Sequence, residues 1–239
     1  MNQDKLYIDE KAGDEPFRFD DSVARVFPDM LRRSIQGYAA SIEAVGSLAA
    51  RYAQPGTNGY DLGCSLGAAS LAMVQGSRSP DFRVIAVDNS AAMIERCSAV
   101  LAGQDDRIEL RLADVRETAI ENASMVVLNY TLQFLDRGSR DALIARICTG
   151  LVPGGLLVLS EKVVDEDPHM EELLVDLHHE HKRRNDYSQL EISRKRAALE
   201  NVLVPETVAA HKRRLAAAGF GHSAVWLRYF NFVSIVAIK

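Results

Sequence analysis

Cysteine is scarce in this chain: Cys64, Cys97 and Cys148 are the whole complement. An odd, widely spaced set with no Cys-x-x-Cys pair excludes a disulfide framework and a zinc ribbon, and it points to a reducing compartment. Long apolar runs are missing as well. No stretch approaches 18 uninterrupted apolar residues, so no membrane span is expected. The opening MNQDKLYIDEKAGDEP has no apolar core and is rich in acids, so it does not read as a secretory signal. Positive charge is in deficit, with a formal net charge of −5. That argues against broad binding to a phosphate backbone, which needs a basic footprint, while leaving local basic clusters free to bind a small anion. Internal repeats and low-complexity tracts are absent too. These absences together predict a soluble, cytoplasmic protein.

What is present is the balance of a globular protein, 47% apolar and 26% charged over 239 residues, enough to bury a core without metal or disulfide staples. Residues 1–20 read as a flexible or loosely docked arm. From Asp21 apolar residues recur at three-to-four spacing, predicting two or three short helices over 21–53, with Pro28 and Gly37 as breaks. From Tyr60 the pattern alternates. GYDLGC, RVIAVD (83–88), IELRLAD (108–114), SMVVLNY (124–130) and LLVLSEK (156–162) read as strands. The segments between them, SAAMIERCSAVLAG and RDALIARICTGL most clearly, read as helices, the latter stopped by VPGG. Apolar strands alternating with helices predict an α/β Rossmann-like fold, a mostly parallel sheet covered on both faces. Residues 165–218 are charged and helical, and 165–205 read as a helical lid inserted into a single domain over 21–239. SAVWLRYF and FVSIVAIK read as an antiparallel pair at the sheet edge.

The loop Tyr60-Asp-Leu-Gly-Cys-Ser-Leu-Gly67 lies between a strand and a helix. Gly63 and Gly67 allow a sharp turn and close approach of backbone to a ligand, with the free N–H groups of the next helix aimed at the same place. Asp88 ends the second strand, where an acid can accept bonds from both hydroxyls of a ribose. Asp114 ends the third, within reach of an adenine amino group, and Asn129 ends the fourth. Ligands of open α/β sheets sit outside the carboxyl ends of the strands, so polar residues at successive ends converge. The plainer alternative has Asp88 and Asp114 capping the helices that follow. The spacing is not Gly-x-Gly-x-x-Gly and no Walker-type lysine follows Gly67, which disfavours nicotinamide and nucleoside triphosphate.

This arrangement resembles the class I S-adenosylmethionine-dependent methyltransferases, whose loop is acid-x-Gly-x-Gly-x-Gly. Asp61 answers the acid, and Ser65 stands where the middle glycine usually lies. FDDSVARVFPDMLRRSIQGYAASI, YDLGCSLGAAS, AVDNSAAMIERC, IENASMVVLNYTLQFL, GLVPGGLLVLSEK, LEISRKRAALENV and FNFVSIVAIK together resemble the bacterial carboxy-S-adenosylmethionine synthases, from about Phe19 to Lys239. The resemblance implies transfer of a carboxyl group from prephenate to S-adenosylmethionine, releasing phenylpyruvate. The product is then used by a separate transfer-RNA carboxymethyltransferase on a wobble uridine. It implies cofactor contacts at Tyr38, Gly63, Cys64, Ser65, Asp88, Asn89, Asp114, Val115 and Asn129, with Arg196 holding the new carboxylate as the catalytic residue. It also implies a homodimer that binds no nucleic acid directly and no metal.

A guanidinium can grip a carboxylate in two parallel hydrogen bonds, which suits Arg196 on a lid helix. The bland alternative makes Arg194, Lys195 and Arg196 a solvated helix face. His178, His179 and His181, with Asp176 and Glu180, lack the order of a metalloprotease motif, and a charged lid helix is expected there. Cys64 has no identifiable base beside it, so its backbone matters more than its sulfur. Trp226 and Tyr229 are expected to pack within the strands. Two other functions stay open at this stage: an ordinary methyltransferase acting on a small molecule or RNA, and a noncatalytic S-adenosylmethionine-binding protein.

Overall fold

The computed structural model describes residues 3–8 and 16–239. Its strands are β1 (Asn58–Leu62), β2 (Arg83–Asp88), β3 (Ile108–Leu112), β4 (Ala123–Asn129), β5 (Leu151–Lys162), β6 (His222–Tyr229) and β7 (Phe232–Ile238). Its helices are α1 (Asp21–Ser34), α2 (Tyr38–Tyr52), α3 (Ala68–Gly76), α4 (Ala91–Leu101), α5 (Arg137–Gly150), α6 (Pro168–Arg184), α7 (Gln189–Leu199) and α8 (Val208–Ala217). The strands form one sheet in the order β3-β2-β1-β4-β5-β7-β6. β1 to β5 run parallel. β7 runs antiparallel against β5, and β6 antiparallel against β7 at the edge. The chain winds outward from β1 to β3, then returns to the other side of β1 with β4. The carboxyl ends of β1 and β4 therefore border the crevice where such sheets take their ligands.

Period-2 alternation sorts the apolar residues between two layers. Met125 and Val127 of β4 face a cluster with Val45 and Ala49 of α2 and Met73 and Val74 of α3. Val126 and Leu128 face the opposite cluster, with Leu143, Ile144 and Ile147 of α5 and Leu215 of α8. Each such side chain, once buried, stabilises by about 1.5–3 kcal/mol. A third cluster lies over the strand ends, where Tyr7, Phe17, Val23, Phe27 and Met30 meet Met93 of α4 and Ala198 of α7.

Three expectations change here. Pro28 lies inside α1 and does not break it. The missing N–H costs one backbone bond, and the continuous apolar face of Val23, Phe27 and Met30 holds the helix through it. The VPGG segment is already part of β5, which begins at Leu151. The arm is docked where it is described: Asp4 and Tyr7 are buried, and the Phe17 N–H donates to Ala198 O at 2.9 Å. Residues 1–2 and 9–15 of that arm lie outside the described residues. The described part of the arm docks through polar anchors at Asp4, whose N–H donates to Asp29 at 2.8 Å and whose carbonyl accepts from Arg33 at 3.0 Å.

Candidate active site

Beyond Leu62 the backbone turns back, and the N–H groups of Gly63 and Cys64 both donate to Val87 O, at 2.8 and 2.9 Å. Gly63 has φ +84°, and a Cβ there would sit 2.3 Å from Thr131 Oγ1, so only glycine fits. Ser65 adopts φ +48°, the left-handed region that favours glycine. It is held there by its own N–H, which donates to Asp88 Oδ2 at 2.9 Å. Asp88 Oδ1 accepts from Ser90 N at 2.9 Å. Ser90, not Asp88, caps α4. Asp88 thus ties the loop to β2, and burial raises its pKa from the ordinary carboxylate value.

Tyr38, Asp61, Gly63, Cys64, Ser65, Asp88, Asn89, Asp114, Val115 and Asn129 all border one cavity of about 490 Å³. Asp114 reaches the wall with its carboxylate already engaged by Arg116, at 2.6 Å to Nη2, which holds its pKa low. No α-helix starts after it, so it caps none. Tyr38, at the start of α2, tilts against Tyr130 with ring centroids 6.5 Å apart. Burial raises the Tyr38 pKa and keeps its hydroxyl protonated. The Cys64 thiol is also pushed up, first by a hydrogen bond with Cys97 and then by burial. A protonated thiol is no nucleophile. Behind Asn129, the turn Leu132–Phe134 is hung on buried Glu161, whose carboxylate accepts from the N–H groups of Leu132 and Gln133 at 3.0 and 2.9 Å. Burial pushes Glu161 up to about 8.

Across the cavity the wall is basic. Lys162 at the end of β5, His178 and Lys182 of α6, and Lys195 of α7 all border it. Arg196 does not. Its side chain is exposed, because α7 buries the positions Ile192, Lys195 and Ala198, and the next residue falls about 100° around the helix. The expected arginine is thus replaced on the wall by the lysine before it. Arg196 is near enough to lower the pKa of Lys162 and His179 by repulsion. Arg194 is half-buried, and its guanidinium donates to Ile8 O at 2.6 Å.

Lys182 and Lys195 were legible only as polar residues on the buried stripes of lid helices, and Lys162 only as a polar residue ending a strand, signals that name no partner. Asp61, read as a motif acid, proves to be a wall residue. Among the described residues, no group of three His, Cys, Asp or Glu side chains could hold a metal ion. His178 is a packed neutral ring whose Nε2–H donates to Ser34 O at 2.9 Å and whose plane stands edge-on to Phe232. Burial lowers its pKa to about 2. No described helix is long and apolar enough to cross a membrane.

Residues 60–155 match the family model for a methyltransferase domain. Among solved structures, a putative S-adenosyl-L-methionine-dependent methyltransferase from Methanococcus maripaludis superposes with a TM-score of 0.60 at 22% identity, over 95% of this chain and 96% of that one. A putative O-methyltransferase from Nostoc punctiforme superposes with a TM-score of 0.64 at 20% identity, over 92% of this chain and 60% of that one. Those likenesses establish the fold. Sequence relatives go further. The carboxy-S-adenosyl-L-methionine synthase of Trichlorobacter lovleyi is 55% identical over 93% of each chain. That of Klebsiella pneumoniae is 49% identical over 100% of this chain and 97% of its own. With glycine loop, strand-end acids and full-length likeness in agreement, the chain belongs to the carboxy-S-adenosyl-L-methionine synthase family, S-adenosylmethionine-using enzymes built on the class I methyltransferase fold.

Proposed function

We propose that this chain transfers the ring carboxyl group of prephenate to the methyl carbon of S-adenosylmethionine, giving carboxy-S-adenosylmethionine, phenylpyruvate and water. The observation that carries this reading is the extent of the cavity. It does not end at the strand-end residues but continues past Gly63 and Asn129 beneath α1, α6 and α7. Its volume of about 490 Å³ falls within the range of small-ligand sites. The part of the cavity beneath these helices is the proposed place of the second small molecule, beside the sulfonium.

In the proposed site Asp88 takes the ribose hydroxyls and the loop 63–65 approaches the methionine part. Tyr38, Asn89, Asp114, Val115 and Asn129 complete the cofactor contacts. Prephenate loses its ring carboxyl as carbon dioxide and its ring hydroxyl as hydroxide while the ring becomes aromatic. Hydroxide takes a proton from the methyl group on positive sulfur, forming water, and the resulting ylide carbon bonds to the carbon dioxide. The protein's part is to hold both reactants, exclude water and stabilise charge. Arg196 is the proposed grip for the new carboxylate, and from its exposed position on α7 it must swing inward past Lys162 to exert it.

We further propose that the product serves a separate transfer-RNA carboxymethyltransferase and that the chain works as a homodimer, which light scattering of the purified protein measures. The reaction is tested by incubating the protein with S-adenosylmethionine and prephenate and following both by mass spectrometry. Carboxylated cofactor with equimolar phenylpyruvate is expected. S-Adenosylhomocysteine formed with an acceptor makes the protein an ordinary methyltransferase. Cofactor binding with neither compound consumed makes it a carrier.

A further inference from the structure

The basic wall has no counterpart among the cofactor contacts. Lys162 ends β5, and β5 lies three strands from β2, so Lys162 stands roughly 14 Å across the sheet from Asp88 at about 4.8 Å per strand. That end of the cavity is not where the adenosine goes. Lys182 and Lys195 are buried and Lys162 half-buried. Lys195 is tethered, donating to Asp4 Oδ2 at 3.5 Å and to Ser34 Oγ at 3.3 Å. Among the described residues, the ammonium groups of Lys162 and Lys182 donate to no carboxylate, carbonyl or hydroxyl. Arg33, behind them, is matched by Asp29. Of the three ammonium groups bordering the cavity only that of Lys195 is paired with a carboxylate, that of Asp4, which leaves Lys162 and Lys182 without a bonded anion among the described residues.

Unpaired charges in a desolvated space are costly unless a ligand completes them. Burial and the repulsion of its two fellow lysines hold Lys182 well below the ordinary lysine value. Lys162 is lowered by burial and by Arg196, against the attraction of Glu171, which lies outside the cavity wall and accepts from Asp165 N at 2.8 Å.

We propose that Lys162 and Lys182 seat the two carboxylates of the second substrate, a small dianion, with Lys195 and Asp4 forming the back of that seat. This rests on the reaction proposed above, and it gives the lid a defined chemistry: two positive charges that only a doubly negative ligand balances. Occupation by a dianion returns both lysines toward their ordinary titration, so binding is accompanied by proton uptake at alkaline pH.

The variants are Lys162→Met, Lys182→Met, the pair together, and Lys182→Arg, each in the full chain with its melting temperature recorded. Methionine replaces an unpaired buried charge with an apolar chain of similar length, so the melting temperature should hold or rise. Each single variant should raise the KM for prephenate at least tenfold while the Kd for S-adenosylmethionine changes less than twofold, and Lys182→Arg should recover most of the loss. Titrating prephenate into S-adenosylhomocysteine-loaded protein at pH 8.5, in buffers of different ionisation heat, should show proton uptake in the wild type and less in Lys182→Met. A double variant with unchanged prephenate KM and unchanged proton uptake overturns the seat. A wild-type protein that neither binds nor consumes prephenate overturns the reaction, and the seat is then judged by malonate. Tighter malonate binding to wild type than to the double variant upholds it, and equal binding ends it.

Discussion

Asp61 is buried with a hydroxyl, Ser70 Oγ at 2.6 Å, as its side-chain partner. Desolvation raises its pKa from 3.8 to about 6, and the nearby Asp88 charge adds to the shift. A carboxylic acid with a folded pKa above its unfolded one binds more protons when folded, so its contribution to stability falls as pH rises from about 4 through 6 and stays low above. The penalty at pH 7 and beyond is about 3 kcal/mol. Asp61→Asn keeps an acceptor for Ser70 and removes the charge. Urea denaturation should find it more stable than wild type by up to about 3 kcal/mol at pH 8, with roughly half that gap at pH 5. A gap independent of pH would refute the assignment. Affinity for the cationic cofactor should drop in the same variant, the usual exchange of site charge against stability. Ser65 offers the opposite case, because it contributes its N–H and not its side chain to Asp88. Relieving its left-handed φ by Ser65→Gly should stabilise the protein by about 1 kcal/mol and leave the Kd for S-adenosylmethionine within twofold. Calorimetric titration and thermal melts check both.

At the scale of elements, Arg140 of α5 is wholly buried. Its guanidinium pairs with Glu206 at 2.6 Å and donates to the carbonyls of Leu135 and Val204, at 2.9 Å each, and of Gln133 at 3.3 Å. Gln133, Leu135, Val202 and Leu203 border the cavity or adjoin it, so one side chain joins the turn after β4 to the segment between α7 and α8. Arg140→Met removes the guanidinium donor from the Leu135 and Val204 carbonyls, while Gln133 O keeps the Val204 N–H at 2.9 Å and Glu206 keeps only Arg214. The expected cost is about 3–5 kcal/mol, read as a lower denaturation midpoint, with cofactor affinity reduced because the wall loosens. The elements themselves were mostly legible. β2 reads from its own residues because RVIAVD is β-branched and wholly apolar within, and β4 because both its faces are covered. The face of α7 was not legible. Its polar residues give no amphipathic pattern, so nothing local distinguished Lys195 from Arg196, and the choice fell to the surface against which the helix packs.

Across the whole molecule, the first described residues complete the lid. Asp4 lies 191 positions before Lys195 and shares its carboxylate with Lys195 and the Tyr187 hydroxyl. Deleting residues 1–8 strands Lys195 without its anion and opens the back of the basic wall. The truncated protein should lose about 3–5 kcal/mol in denaturation, and its KM for prephenate should rise far more than its Kd for S-adenosylmethionine. Equal loss on both would assign the arm to general stability. What the sequence determined by itself was the alternation of strand and helix, the glycine turn, and the polar residues at the strand ends. Those follow from side-chain period, backbone φ and the length of each unit, all set by near neighbours along the chain. The tertiary structure decided which cation faces the cavity, where the arm docks, and that Asp61 is a charge without a cation. Such outcomes depend on which distant surfaces meet and on how much water their meeting removes, and no window of residues contains that.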